Sequence, residues 1–179
     1  YCLRARLSGG TSDAYLLEGD YNIAAAVTNY IRFNIWFSPS FDATADDTFS
    51  VFELQASGTV ELAVGFRYVA ATDVINVGIG EVAPTAFGGE NIVKGVWHTI
   101  EITAVVAGAT QANGSGSVFV TRDGKPFKST ADASIDSLMQ SAITDGVIGV
   151  QNHLGTTTGT ILFDSLIFDD GRIGPEKRY

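Results

Sequence analysis

The sequence predicts an all-β protein built as a two-sheet antiparallel β-sandwich, with at most one short helix. Three observations support this fold class. Apolar and polar residues alternate with a period of two in several short runs, which is typical of strands with one buried face. Glycine, proline, asparagine and aspartate separate these runs. The strands do not alternate with helical segments, as they would around a parallel sheet.

The clearest alternation lies at residues 31–37, which we predict to form a strand. One face of this strand carries Ile31, Phe33, Ile35 and Phe37. The other face carries Arg32, Asn34 and Trp36. We expect the four apolar residues to be buried between the sheets, and we expect Arg32 and Asn34 to be exposed.

The other elements are predicted in chain order from the same kinds of pattern. Further strands are expected at 1–7, 14–17, 49–55, 59–69, 74–81, 97–106, 117–122, 125–128, 147–150 and 161–168, about twelve in all. Asp123-Gly124 fits a two-residue hairpin turn. The acidic run at 41–47 is predicted to be a solvated loop, and 83–90, with Pro84 and Gly88-Gly89, another loop. A helical spacing of apolar residues predicts one short helix between 132 and 141.

Length and charge limit the classes of function. A chain of 179 residues is predicted to form a single domain spanning 1–179. Its formal net charge is −9, and only four of its residues are lysine, so nucleic acid is not an expected partner. No apolar run approaches the ~18 residues of a membrane span, so membrane insertion is not expected. Cys2 is the only cysteine, so no internal disulfide is expected.

A series of motifs in the second half of the chain resembles a known family. Residues 95–102 read Gly-Val-Trp-His-Thr-Ile-Glu-Ile, and they are followed by the segments 118–125, 148–152 and 159–166. Their order is similar to that in laminin-G-like domains of the concanavalin A-like jelly-roll superfamily. The resemblance implies the same sandwich, with the first and last strands side by side. It implies no particular activity, because lectins, glycan hydrolases, lyases, adhesion modules and virion proteins share this fold.

Asp164 lies inside the apolar run 161–168 and is therefore expected to be buried. A buried carboxylate needs a partner. The strand neighbours that the resemblance implies offer Arg4 or Arg6 for a salt bridge. Backbone hydrogen bonds and a structural calcium ion are the alternatives. Asp164 is thus the candidate metal ligand, and no other cofactor is expected.

The outward face of residues 31–37 is the candidate ligand-binding surface. The indole of Trp36 can stack on the CH face of a sugar, while Arg32 and Asn34 bind its hydroxyl groups. Arg67, on another predicted strand, is expected to extend this face. The alternative is that Trp36 packs beneath a loop or against a neighbouring subunit.

The sequence shows no familiar reaction centre. It lacks the Glu-x-Asp-x-x-Glu strand of β-glucan hydrolases, a nucleophile elbow and histidines at metal-binding spacing. The main functional prediction is therefore a non-enzymatic structural or adhesion module of an extracellular or virion-surface assembly, with copies of itself or other subunits as partners. The alternative is a carbohydrate-binding module of a larger secreted protein, with glycans as partners. A glycan hydrolase or lyase is the third hypothesis.

Overall fold

The computed structural model describes residues 2–10, 14–23, 28–105, 115–122, 125–127, 129–134 and 143–169. Within these residues the chain forms thirteen strands, which are β1 (Cys2–Ser8), β2 (Ala14–Ile23), β3 (Thr28–Phe37), β4 (Asp47–Ala56), β5 (Thr59–Val69), β6 (Val74–Gly80), β7 (Ala86–Ile92), β8 (Trp97–Val105), β9 (Ser115–Arg122), β10 (Lys125–Phe127), β11 (Ser129–Ser134), β12 (Ile143–Gln151) and β13 (Thr158–Asp169). The described part contains no helix. The predicted all-β fold class is confirmed.

The strands form two antiparallel sheets. Sheet A has the order β1-β13-β3-β8-β9-β10, and β11 also pairs with β9. Sheet B has the order β2-β12-β4-β5-β6-β7. Strand β1 pairs with β13 in antiparallel register, as the resemblance implies for the first and last strands. The register Arg122↔Lys125 joins β9 to β10 as a hairpin, although the turn residues themselves lie outside the described part.

The core lies between the two sheets and is rich in aromatic rings. The four apolar residues predicted to face inward from β3 are fully buried. From this strand Phe33 contacts Phe52 of β4, with ring centroids 6.0 Å apart, and Phe37 meets Phe66 of β5 edge to face at 5.0 Å. Because such ring pairs join the sheets directly, they fix which face of β3 points outward.

Two predicted elements differ from the structure. Residues 86–92 form strand β7 rather than a loop, since their backbone pairs with β6 at the edge of sheet B despite the glycines. The predicted helix at 132–141 begins with three residues that belong to strand β11, and 135–141 lie outside the described residues. Asp132, Ala133 and Ser134 instead pair with β9. Within the described part, no helix has the length and apolar character needed to cross a membrane.

Candidate functional site

Strand β3 presents the three residues predicted for ligand binding on the outer face of sheet A. Trp36 and Asn34 are half-buried, whereas Arg32 is only 8% exposed. The prediction that Arg32 is exposed is therefore wrong. Its Cα partners on the two flanking strands are Ile167 and Glu101, and a long side chain in the middle of a sheet lies against such neighbours.

Trp36 belongs to a row of outward side chains that crosses four strands. Its Cα partners are Leu162 on β13 and Trp97 on β8, and the partner of Leu162 on β1 is Arg4. Trp97 is 36% exposed, which is unusual for so large an apolar side chain in this protein. Directly opposed residues in adjacent strands have neighbouring side chains. The outer face of sheet A therefore carries an arginine, a leucine and two indoles in line.

A cleft of about 700 Å³ opens on this face, between β1 and the segment that follows β3. Its wall combines cationic, aromatic, apolar and hydroxyl groups. These groups include Arg4, Arg6, Trp36, Ser40, Thr158 and Leu162. Such a mixture of one flat apolar surface with several polar groups is typical of a small-molecule or carbohydrate site.

The hydroxyl-bearing wall of the cleft is held by backbone contacts. Ser38 N donates to Thr160 O at 2.8 Å, and Thr160 N donates to Ser38 Oγ at 3.0 Å. Gly159, which precedes Thr160 in this wall, has a φ of 119°. A Cβ atom at this position would lie 2.7 Å from the Cα atom of Phe41. Only glycine allows the backbone to pass so close, and the wall is thereby fixed in position.

A buried carboxylate anchors the loop that leads into this wall. Asp47, at the start of β4, is 1% exposed. It accepts hydrogen bonds from Leu154 N at 3.0 and 3.1 Å and from Thr157 Oγ1. The next residue, Thr158, then forms paired backbone hydrogen bonds with Asp42 at 2.8 and 3.1 Å. The acidic run predicted to be a solvated loop is thus in part a structural anchor, which sequence reasoning missed.

Asp164 occupies a different position from the one predicted. It is partly exposed rather than buried, because its side chain points to the outer face of sheet A. Asp164 Oδ1 accepts a hydrogen bond from Ser165 N at 2.9 Å, where the strand bulges and Ser165 has a φ of 57°. No ion pair joins it to Arg4 or Arg6, although all three are described. The carboxylate therefore stabilises its own bulge.

The described residues do not suit Asp164 as a metal ligand. They contain no group of three or more His, Cys, Asp or Glu side chains that could hold an ion. The predicted structural calcium ion at Asp164 thus has no such group of side chains around it in this part of the chain. It stays a prediction, which chelation can test.

Arg67 does not extend the face that carries Trp36. It lies on β5 in sheet B, and its guanidinium carbon is 5.0 Å from the centre of the Phe87 ring. The prediction that Arg67 extends the outward face of β3 is therefore wrong. Alternation gives the face of a strand but not the sheet to which the strand belongs. A role of Arg67 in binding elsewhere on the molecule stays a prediction.

The residues that replace Arg67 come from β1. Arg4 and Arg6 are both exposed and both line the cleft. Their positions could have been inferred from the alternation at 1–7, which sets them opposite the apolar residues of that strand. From the sequence, Arg4 and Arg6 were predicted only as possible salt-bridge partners of Asp164. His98, by contrast, is a core residue, 1% exposed, and its Nε2 atom lies 3.1 Å from backbone atoms of Val93.

Comparison with known proteins identifies the architecture. No protein family model matches the chain, and no curated protein matches it. Several solved structures, however, are similar to this chain. A mutant of alginate lyase Aly36B in complex with alginate tetrasaccharide has a TM-score of 0.61 at 12% identity, with 98% of this chain and 82% of that one covered. The marine PL-14 alginate lyase from Aplysia kurodai gives 0.58 at 8%, covering 85% and 73%.

A third similar structure comes from a phage. The CBM2 module of Lactobacillus casei BL23 phage J-1 evolved Dit has a TM-score of 0.58 at 9% identity, covering 92% of this chain and 75% of that one. These likenesses show that the chain is a jelly-roll β-sandwich. Because the structures with this architecture include several polysaccharide lyases, the main prediction of a non-enzymatic structural or adhesion module is wrong.

Proposed function

We propose that this chain is a carbohydrate-binding domain whose site is the cleft beside Trp36. The observation that carries the proposal is the meeting, in one open cleft, of an indole, two arginines and a wall of hydroxyl groups. An indole offers a flat apolar surface to the CH face of a sugar ring, and guanidinium and hydroxyl groups bind the ring oxygens. The cleft thus provides both kinds of contact that a polyhydroxylated ligand requires.

The comparisons and the sequence support the proposal without specifying the glycan. Proteins of the same architecture include alginate lyases, and one of them has been solved in complex with alginate tetrasaccharide. The order of motifs from residue 95 to residue 166 supports membership of the concanavalin A-like, laminin-G-like superfamily. On this proposal residues 1–179 act as one domain, and the site of action is extracellular, where polysaccharides are found.

The test is retention on immobilised glycans. A glycan array followed by affinity electrophoresis should identify a polysaccharide that retards the protein, and Trp36→Ala should reduce the affinity about tenfold, since stacking contributes about 1–2 kcal/mol. Val82→Ala, at a residue that is 67% exposed on the loop between β6 and β7, is the control and should leave retention unchanged. Retention that is equal in wild type and Trp36→Ala would contradict the assignment of the site.

An observation on the same strand favours a second candidate function, cleavage of a uronate polymer by β-elimination. Tyr30, Arg32 and Asn34 are successive outward residues of β3, beside Trp36. The amide of Asn34 is fixed by a hydrogen bond that Thr99 Oγ1 donates to Asn34 Oδ1 at 2.8 Å. Tyrosine can act as a general base, and a guanidinium beside an amide can stabilise the negative charge that develops on a uronate carboxylate.

This elimination can be followed directly. Tyr30 takes the proton from C5 of the uronate, and the electrons of the broken C5–H bond form the double bond between C4 and C5. The C4–O bond breaks, and Tyr30 returns the proton to the leaving oxygen. The unsaturated product absorbs in the ultraviolet, so incubation with alginate should raise the absorbance. Tyr30→Phe should abolish the rise while binding is retained. Bound alginate without any rise in absorbance would exclude this second candidate and leave the binding function in place.

A further inference from the structure

We propose that the cleft recognises anionic, linear polysaccharides and that the chain of sugars runs across strands β1, β13, β3 and β8. The inference rests on the proposed function and adds the class of ligand and its direction. Arg4 and Arg6 bind the carboxylate or sulfate groups of the polymer. Trp36 and Trp97 form two successive stacking surfaces.

The charge distribution supports an anionic ligand. The protein has a formal net charge of −9, yet two arginines lie two positions apart on the outward face of its first strand. Residues at this spacing in a strand are about 7 Å apart and point to the same side. Both side chains are exposed, and neither forms an ion pair with any other described residue. A neutral sugar does not require two unpaired cations, whereas guanidinium groups bind carboxylate and sulfate in bidentate fashion.

Asp164, an acidic residue on this face, forms no ion pair with the arginines. Asp164 lies in the adjacent row, with Cys2 and Asn34 as its Cα partners. One of its carboxylate oxygens accepts the hydrogen bond from Ser165 N. The cationic part of the face is therefore the edge strand β1.

The register of the strands supports a linear ligand. Arg4, Leu162, Trp36 and Trp97 are successive Cα partners, so they span three strand spacings, or about 14 Å. This length exceeds one sugar ring and suits several linked sugars. Because Trp97 lies beyond the cleft and is 36% exposed, the stacking surface continues past Trp36. The site thus binds several linked sugars within a polymer rather than a single sugar.

Titration calorimetry with three probes tests the class of ligand. The probes are alginate, a sulfated glycan and alginate whose carboxylates have been reduced to alcohols. We expect binding of alginate, the sulfated glycan or both, at least about tenfold weaker binding of the reduced polymer, and affinity that falls as salt is added. The double variant Arg4→Gln/Arg6→Gln should lose at least about tenfold in affinity for the bound anionic probe. Val82→Ala, at an exposed residue on the loop between β6 and β7, is the control and should change the affinity little.

The outcomes separate the two proposals. If the reduced polymer binds as tightly as alginate, or if the arginine variants bind normally, the anionic inference is overturned while carbohydrate binding stands. If no glycan of any charge is retained, the proposed function itself fails. If only the sulfated glycan binds, sulfate replaces carboxylate as the anion recognised, which supports the inference.

A length series tests the direction of the chain. Affinity for alginate oligosaccharides should rise from the disaccharide to the tetrasaccharide and then level off. In Trp97→Ala this gain should be lost, while the affinity for the disaccharide is unchanged. Affinity that is the same for all lengths, or a gain with length that persists in Trp97→Ala, would overturn the proposed path across β8.

Discussion

Trp36 and Trp97 are direct Cα partners on the adjacent strands β3 and β8, and both lie on the outer face of sheet A. They are the only two tryptophans of the chain. The core is filled by other rings, so neither indole is required between the sheets. Two large aromatic side chains on one outer face, beside a cleft with two arginines, form the surface from which the proposed function is inferred.

The first prediction concerns Gly159 in the cleft wall. Gly159→Ala should lower the free energy of unfolding by about 3 kcal/mol, because the residue has a positive φ and its Cβ would overlap the Phe41 backbone. Urea denaturation measures the change. Gly10→Ala is the matched control, since a Cβ there meets no atom within 4 Å. Equal stabilities of the two variants would show that the wall is not fixed in this way.

The second prediction concerns the anchor of the loop before β13. Asp47→Asn should lower the free energy of unfolding by about 2–3 kcal/mol, because hydrogen bonds to a buried carboxylate are stronger than those to an amide. Asp46→Asn is the control: Asp46 is exposed and accepts one hydrogen bond, from Ala70 N at 2.9 Å. If Asp47→Asn costs no more than the control, Asp47 does not anchor the loop.

The third prediction concerns Asp164. Because the residue is partly exposed and bonds to its neighbour, Asp164→Ala should lower the free energy of unfolding by only about 1 kcal/mol. Addition of EDTA to the wild type tests the calcium hypothesis in the same assay. A fall in the wild-type melting temperature with EDTA that is absent in Asp164→Ala would restore Asp164 as a calcium ligand.

The fourth prediction concerns pH. Burial raises the pKa of Tyr68 above its ordinary range, and the hydrogen bonds that Tyr68 Oη donates to Asp42 and Asp73 raise it further. The unfolded chain ionises this phenol near pH 10, whereas the folded protein retains its proton. The stabilisation is therefore complete below about pH 10 and is lost as the pH rises further. The loss measured by urea unfolding should be smaller in Tyr68→Phe.

A further prediction concerns Asp73 and the fall in folding stability at acidic pH. Its hydrogen bond with Lys94, followed by that with Tyr68, lowers the pKa of the Asp73 carboxyl group. This contribution is present above the ordinary pKa of about 4 and is lost as the pH falls through the lower value in the folded protein. Asp73→Asn should therefore flatten the fall in stability below pH 4. A parallel fall in variant and wild type would show that the ion pair does not matter for folding.

Local patterns predicted much of the fold. The alternation at 31–37 correctly gave the buried and outward faces of β3, because side chains alternate across any strand whatever its partners. The same reasoning could not show that Arg67 belongs to the other sheet, since sheet membership depends on pairing between distant segments. Asp164 was wrongly predicted to be buried because a run of apolar neighbours does not show that one face of the strand is the outer face of a sheet.

Only one part of the cleft, Trp36, could be predicted from the sequence as a site residue. The alternation at 31–37 places Trp36 on the outward face, opposite the apolar residues that fill the core. Its neighbours Arg4 and Leu162 come from opposite ends of the chain, and they meet only because β13 lies between β1 and β3. A resemblance implied that the first and last strands are neighbours, but not which side chains share a row. The register supplies that information.

The most direct test of the account is a fluorescence titration, because all tryptophan emission of this protein comes from the proposed site. Alginate tetrasaccharide should change the emission of the wild type in a saturable way, with the same affinity as in calorimetry. Trp36→Phe should keep part of the binding and lose the larger part of the signal. Binding by calorimetry with unchanged tryptophan emission would place the ligand elsewhere on the molecule and contradict the central claim.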